Sequence, residues 1–295
     1  MSYCRKCGKK TEEDAAYCSY CGESLEPSLL QTEPSQEEPR KVRRSRIEGF
    51  AVILFIVMAI VLIFVQGVKP DIFTSQPTQT LSSSSWSGYS VSPDLKNPQA
   101  KVTGVSGTWT VPKVTPTPVY SYSAAWVGVG GQFDQTLIQI GTQHDSQQGQ
   151  VSYAVWYELL PDYPVGIDEL TIKPGDTITA EISLTNPSTN TWMMSISDVT
   201  TGQTYQKSVV YFSKMLSAEW IVERPTIGRR FGSLSMFDVI TFTKCGATID
   251  GRTGSITSFP SSKFIMTNRM NDPLVSVGAI GLESGSFLVT FSSQS

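Results

Sequence analysis

Val151-Ser152-Tyr153-Ala154-Val155-Trp156-Tyr157 sets Val151, Tyr153, Val155 and Tyr157 on one side of an extended chain and Ser152, Ala154 and Trp156 on the other. A period of two is the period of a β-strand. Gly107-Thr108-Trp109-Thr110-Val111 alternates in the same way, as do residues 177–184 and 192–196, and Ser286-Phe287-Leu288-Val289-Thr290-Phe291 reads as a closing strand. These runs are short and rich in Thr, Val, Ile and aromatic residues, the composition that suits a pleated, half-buried surface. Turn chemistry separates them at Pro174-Gly175-Asp176, Asn186-Pro187 and Thr201-Gly202. No long segment in this region carries a helical period, and no internal repeat is visible. Residues 86–295 therefore read as one all-β domain, an antiparallel sandwich or barrel.

Upstream, the chain changes character three times. Cys4, Cys7, Cys18 and Cys21 form two C-x-x-C pairs within residues 1–24. Each C-x-x-C turn aims two thiolates at one centre, and two such turns build the tetrahedral sulfur site that suits structural Zn2+. Apart from three tyrosines there is almost no apolar material here, so the metal would supply the folding energy. This segment resembles a zinc ribbon and reads as a protein-contact module. Residues 25–46 are rich in Glu, Pro, Ser and Gln, then turn basic at Arg40, Lys41, Arg43, Arg44 and Arg46, and read as a disordered linker.

Residues 47–68 contain an unbroken apolar run from Phe50 to Val65. A stretch of about 20 such residues spans about 30 Å as a helix, the thickness of a bilayer core. The basic cluster precedes the run and only Lys69 closely follows it. A single transmembrane helix with a cytoplasmic N-terminus and an extracellular C-terminal domain is the expected arrangement at the cell membrane. It would keep the four paired cysteines reduced and leave Cys245 alone outside. Residues 69–85, with Ser82-Ser83-Ser84-Ser85, read as a Ser/Thr-rich tether or a short pro-segment.

The whole chain has 295 residues and a net charge of −3; from residue 70 onward 13 Lys+Arg face 17 Asp+Glu. That sparse, mildly acidic balance excludes a nucleic-acid-binding surface. His144 is the one histidine, so zinc hydrolase sites needing several His are excluded. There is no G-x-S-x-G elbow, and neither D-T-G nor D-S-G occurs. Carboxylates and amides on strands, framed by tryptophan, remain.

Six motifs then appear in order: Gly107-Thr108-Trp109-Thr110-Val111-Pro112; Ala125-Trp126-Val127-Gly128-Val129-Gly130-Gly131; Leu137-Ile138-Gln139-Ile140-Gly141-Thr142; Ala154-Val155-Trp156-Tyr157-Glu158-Leu159-Leu160-Pro161; Pro174-Gly175-Asp176; and Ser217-Ala218-Glu219-Trp220-Ile221-Val222-Glu223-Arg224-Pro225. The series resembles the glutamic peptidases, or eqolisins, from about Trp86 to the C-terminus. The resemblance implies a sandwich of two antiparallel sheets with a cleft on a concave face. It also implies endopeptidase action on polypeptide substrates, usually at acidic pH, by a Gln/Glu dyad without a catalytic cofactor. The dyad positions match Gln139 and Glu223. Trp86, Trp126, Trp156 and Glu158 match cleft positions, although each tryptophan taken alone reads as core. Period two puts Glu219 on the same strand face as Glu223, as a neighbour in substrate binding or a rival for the carboxylate role.

A carboxylate can take a proton from water and return it to the leaving amine, while an amide can donate to an oxyanion, so the pair is chemically sufficient. The chain departs from the fungal pattern where Gly130, Gln143 and Ala154 stand in place of acidic residues. That thins the acidic network around the dyad, which bears on its pH range and on whether the domain is active. The competing reading is an inactive lectin-like surface module, since the sandwich resembles lectin folds and a tryptophan-lined face can stack sugars.

Overall fold

In the computed structural model the described residues are 2–3, 10–11, 78–228, 230–282 and 285–292. The chain divides into two compact units, Met1–Ile72 and Phe73–Ser295. In the first, Ser2–Tyr3 pairs antiparallel with Lys10–Thr11, flanking the first C-x-x-C in sequence. Cys4, Cys7, Cys18 and Cys21, the linker and the apolar run 47–68 lie outside the described residues. Among those described, no helix is long and apolar enough to cross a membrane.

The second unit is a two-layer β structure. Its principal strands are β1 (Thr78–Ser83), β2 (Trp86–Val91), β3 (Val102–Thr110), β4 (Ala124–Gly130), β5 (Leu137–Gln147), β6 (Gln150–Leu159), β7 (Thr177–Asn186), β8 (Thr191–Asp198), β9 (Gln203–Val210), β10 (Ala218–Glu223), β11 (Val239–Ile249), β12 (Ser261–Met266), β13 (Val275–Val277) and β14 (Phe287–Phe291). One sheet runs β6-β5-β4-β10-β2-β12-β1, extended beyond β6 by Val165–Gly166; the other runs β9-β8-β7-β3-β11-β14-β13. The main ladders are antiparallel except β12 with β1, which is parallel. The short pairing of Ser233–Leu234 with Ser121–Tyr122 is also parallel.

Alternation decides which side chains enter the space between the sheets. Val127 and Val129 of β4, Ile138 and Ile140 of β5, Val155 of β6 and Trp220 of β10 meet Trp109 of β3, Ile178 and Ile182 of β7 and Phe242 of β11 in one core. Trp109 and Trp220 are fully buried there. Their indole N–H groups are satisfied: Trp109 Nε1 donates to Thr142 Oγ1 at 2.9 Å and Trp220 Nε1 to the Ser106 carbonyl at 2.7 Å. An indole buried without such a partner would forfeit much of what its apolar ring contributes.

One boundary differs from the sequence reading. The tether expected over 69–85 contains β1, whose six residues pair in register with β12, from Thr78↔Ser261 to Met266↔Ser83. The stretch Thr-Gln-Thr-Leu-Ser-Ser is too polar to signal burial, and its partner lies about 180 residues away. Gln79 Nε2 donates to Ser262 Oγ at 2.9 Å, and Leu81 packs against a second, smaller apolar cluster. Polar pairing across the edge, rather than an apolar face, holds this strand.

Candidate active site

The outer face of the first sheet carries the second cluster: Trp126, Leu137, Trp156, Ile221 and Phe264, with Trp86, Leu81 and Leu160 packed on it. Register places the polar side chains around this cluster. Gln139 of β5 stands between Gly128 of β4 and Glu158 of β6. Glu223 ends β10 between Ala124 of β4 and Trp86 of β2. Glu219, four residues earlier on β10, stands beside Gly128.

Glu223 is half-buried. Trp126 is fully buried, and its Nε1 donates to Glu223 Oε2 at 2.8 Å. Trp86 meets Trp126 edge-on with ring centroids 5.1 Å apart, and meets Phe264 at 5.7 Å. This aromatic enclosure strips water from the carboxyl. Burial raises its pKa to about 7; the Trp126 and Trp86 indoles pull it down, and the negative charge of Glu158 pushes it further up.

Gln139 is buried, and its Nε2 donates to Glu158 Oε2 at 2.5 Å. Burial raises the Glu158 pKa, opposed by the Gln139 hydrogen bond. Gln139 Oε1 and Trp156 Nε1 are buried without a partner. Buried polar atoms left unpaired are uncommon and concentrate where a ligand completes them.

The expected positions therefore divide. Gln139, Glu158 and Glu223 share an electrostatic neighbourhood walled by Trp86 and Trp126, with Trp156 in the same outer cluster. Glu219 does not join it. It is fully buried, and Ser217, Asp134 and the backbone N–H groups of Gly130 and Gln132 face it. Burial raises its pKa well above the ordinary carboxylate range. The expectation that Glu219 binds substrate gives way to a carboxylic acid enclosed beneath the loop after β4. Period two puts the two glutamates on one face, but the pattern does not tell which end of the strand the loop covers.

Other candidates fall away. His144 points into the core, where burial lowers its pKa to about 3 and its Nε2 pairs with Thr142 Oγ1 at 2.8 Å. Cys245 is buried, and desolvation raises its thiol far from thiolate formation. Among the described residues no group of three or more His, Cys, Asp or Glu could hold a metal.

The three sequence departures have visible surroundings. At Gly130 φ is +98°, and an added Cβ would lie 2.3 Å from the Thr136 carbonyl oxygen, so an acidic side chain does not fit this backbone. Gln143 and Ala154 face each other across β5 and β6 in the row that includes Ala124 and Glu223. Sequence reasoning noted Gln143 only as a loss. It did not find Asp145, which accepts from Gln143 Nε2 at 2.5 Å; the i, i+2 spacing on one strand was the available signal.

The two-sheet β-sandwich agrees with comparison to known proteins. The chain belongs to the peptidase A4 family, whose sequence model matches residues 84–282. A zinc-ribbon model matches residues 3–25. Aspergillopepsin-2 of Aspergillus niger is 34% identical over 136 residues, covering 44% of this chain and 48% of that protein. Scytalidopepsin B of Scytalidium lignicola is 30% identical over 156 residues, covering 49% of this chain and 58% of that protein. The matched segments thus span about half the length of those relatives. Among solved structures, scytalido-glutamic peptidase with a transition state analog inhibitor shares the fold, with a TM-score of 0.60 at 22% identity, covering 71% of this chain and 99% of that one. Aspergilloglutamic peptidase from Aspergillus niger gives a TM-score of 0.52 at 26% identity, covering 58% of this chain and 99% of that one.

Proposed function

We propose that the β-sandwich is a glutamic endopeptidase in which Glu223 and Gln139 act on the peptide bonds of polypeptide substrates. The carrying observation is the Glu223 carboxyl, enclosed by Trp86 and Trp126 and shifted to about pH 7, where a carboxyl can both accept and return a proton. Ionised Glu223 takes a proton from water as the water oxygen attacks the scissile carbonyl. The tetrahedral oxyanion accepts from the Gln139 amide, one N–H of which is already committed to Glu158. Glu223 then gives its proton to the leaving amine, and the C–N bond breaks.

Because the free carboxyl is half-ionised near pH 7, kcat/KM rises through a limb at about that pH. This is a more neutral range than the resemblance alone suggests. The loss of carboxylates at 130, 143 and 154 does not prevent it, since burial is the largest cause of the shift.

The rest of the chain gives the setting of this reading. Cys4, Cys7, Cys18 and Cys21 form a four-thiolate donor set that would hold one Zn2+ structurally, leaving catalysis to the sandwich. The apolar run within 47–68 and the preceding basic cluster support one membrane span with the sandwich outside and the ribbon free to meet a cytoplasmic protein.

The test is peptide hydrolysis by the full chain in detergent or vesicles between pH 3 and 8, with the Glu223→Gln and Gln139→Ala proteins alongside. Cleavage that survives in both variants would remove the assigned dyad. Protease added outside intact cells should digest the sandwich and spare the ribbon; the opposite pattern reverses the topology.

A further inference from the structure

β5 turns three residues in succession toward the outer face: Gln139, Gly141 and Gln143. The middle one is bare backbone, because a Cβ at Gly141 would lie 2.4 Å from the Ala125 carbonyl oxygen. Each amide is met by a carboxylate, Gln139 by Glu158 and Gln143 by Asp145, both at 2.5 Å. The first pair belongs to the proposed chemistry. The second has no part in it, yet a carboxylate has been buried to make it.

Asp145 is 3% exposed, and its Oδ1 has no partner. Burying such a group is costly, and here its made side-chain contact is with Gln143. A carboxylate only accepts, so it fixes the amide with Nε2 toward Asp145 and Oε1 turned away. Gln143 is half-buried, with Ala124 opposite it on β4 and Ala154 opposite it on β6. Neither alanine reaches far enough to cover the amide. Its carbonyl oxygen is thus a hydrogen-bond acceptor held toward the open side, in the row that ends at Glu223.

We propose that Gln143, held in orientation by Asp145, positions substrate by accepting a hydrogen bond from a polypeptide backbone N–H. This rests on the peptidase reading and deepens it. Gln139 and Gln143 are four residues apart on one strand, about 13 Å at roughly 3.3 Å per residue. Gln143 is also level with Glu223, two strands away, so a peptide held between Gln139 and Glu223 and running along β5 would meet Gln143 within four residues of the bond attacked. A neutral acceptor at this place does not select charge, so it recognises chain length rather than sequence.

Asp145 also makes the grip depend on pH. The groups facing it are Gln143, the Ser123 N–H and Ser152 across the pair to β6, none of which titrates. His144 beside it is neutral and faces the core, and Glu223 lies two strands away. Burial raises the Asp145 pKa to about 6. Below that pH the protonated acid becomes a donor, the amide turns to accept it, and Nε2 replaces Oε1 on the open side. Affinity for long peptides falls as pH drops through about 6.

The experiment measures KM and kcat for a peptide cleaved at one fixed bond and truncated stepwise from each end. Gln143→Leu should raise KM for the long peptide about tenfold, equivalent to one hydrogen bond of about 1.4 kcal/mol, with the loss in KM rather than kcat. The difference should vanish once truncation on one side, within four residues of the cleaved bond, removes the residue that reaches Gln143. Asp145→Leu should reproduce it, and Asp145→Asn, which can still accept through its amide oxygen, should restore most of it and abolish the rise in KM below pH 6. Equal losses for long and short peptides, or a loss confined to kcat, would overturn the proposal. If no peptide is hydrolysed, the same series is titrated into Glu223→Gln protein with tryptophan fluorescence as readout. Length-dependent weakening by Gln143→Leu supports the grip even with the peptidase reading gone, and unchanged affinity refutes it.

Discussion

The two faces of the first sheet come from the same strands and have opposite chemistry. β10 sends Ala218, Trp220 and Val222 into the space between the sheets and Glu219, Ile221 and Glu223 to the outer side. β5 sends Ile138 and Ile140 inward and Gln139 and Gln143 outward. On the inner face the Trp109 and Trp220 indoles are paired, while His144 Nδ1 is left without a partner. The outer face leaves Gln139 Oε1, Trp156 Nε1 and Asp145 Oδ1 without partners. A buried face that leaves hydrogen bonds unmade gives up stability, and the strands are held by the packing of the other face while it does so.

The largest expected effect separates the two glutamates of β10. Glu223→Gln should lower kcat by about 10²- to 10⁴-fold, the usual reach of general acid–base catalysis, with folding intact by circular dichroism. Glu219→Gln exchanges an enclosed carboxyl outside the proposed chemistry for an isosteric amide and should change kcat by no more than about threefold. If the two results were exchanged, Glu219 would be the base and the enclosed position assigned to it would be wrong. Next, Trp220→Ala should cost about 3–5 kcal/mol of unfolding free energy in urea, while the half-buried Gln143 exchanged for Leu should cost far less. A comparable loss from both would dissolve the distinction between a packing face and a binding face. Gln139→Ala should lower kcat by about 10²- to 10³-fold and leave the midpoint of denaturation close to that of the unmodified protein.

Smaller effects appear in the pH profile, where the signs differ. Glu158→Gln removes a negative charge that raises the Glu223 pKa, so the rising limb of kcat/KM should move to lower pH. Trp126→Phe removes an N–H that stabilises the Glu223 anion and should move that limb to higher pH. A limb that ignores both substitutions belongs to a different group.

Much of this was legible because burial leaves a period. The runs at 107–111, 151–157, 177–184, 192–196 and 286–291 all lie within or across strands, and residues 107–111 and 177–184 meet as neighbouring strands, Trp109 opposite Ile178. Gln139 and Glu223 were visible through motif order, and the structure brings them to one face. β1 was not legible, since Thr-Gln-Thr-Leu-Ser-Ser carries no apolar stripe and depends on a partner remote in sequence. Nor was the separation of Glu219 from Glu223, because it depends on where the loop carrying Gln132 and Asp134 folds back. The Gln143–Asp145 pair was hidden for a further reason: an amide in place of an acid reads as a missing charge until its hydrogen-bond partner is seen.

The parallel pairing of β1 gives the domain its edge. Where the family match begins, at residue 84, β1 has already ended. A protein cut there would leave Ser261–Met266 as an outer strand with unpaired N–H and C=O groups along one side, and would uncover the apolar surface that Leu81 touches. Such an edge recruits the next available strand, so the shortened domain should self-associate, as light scattering would report, whereas one beginning before Thr78 should stay monodisperse. The stretch expected as a spacer would then guard the sheet against its own copies.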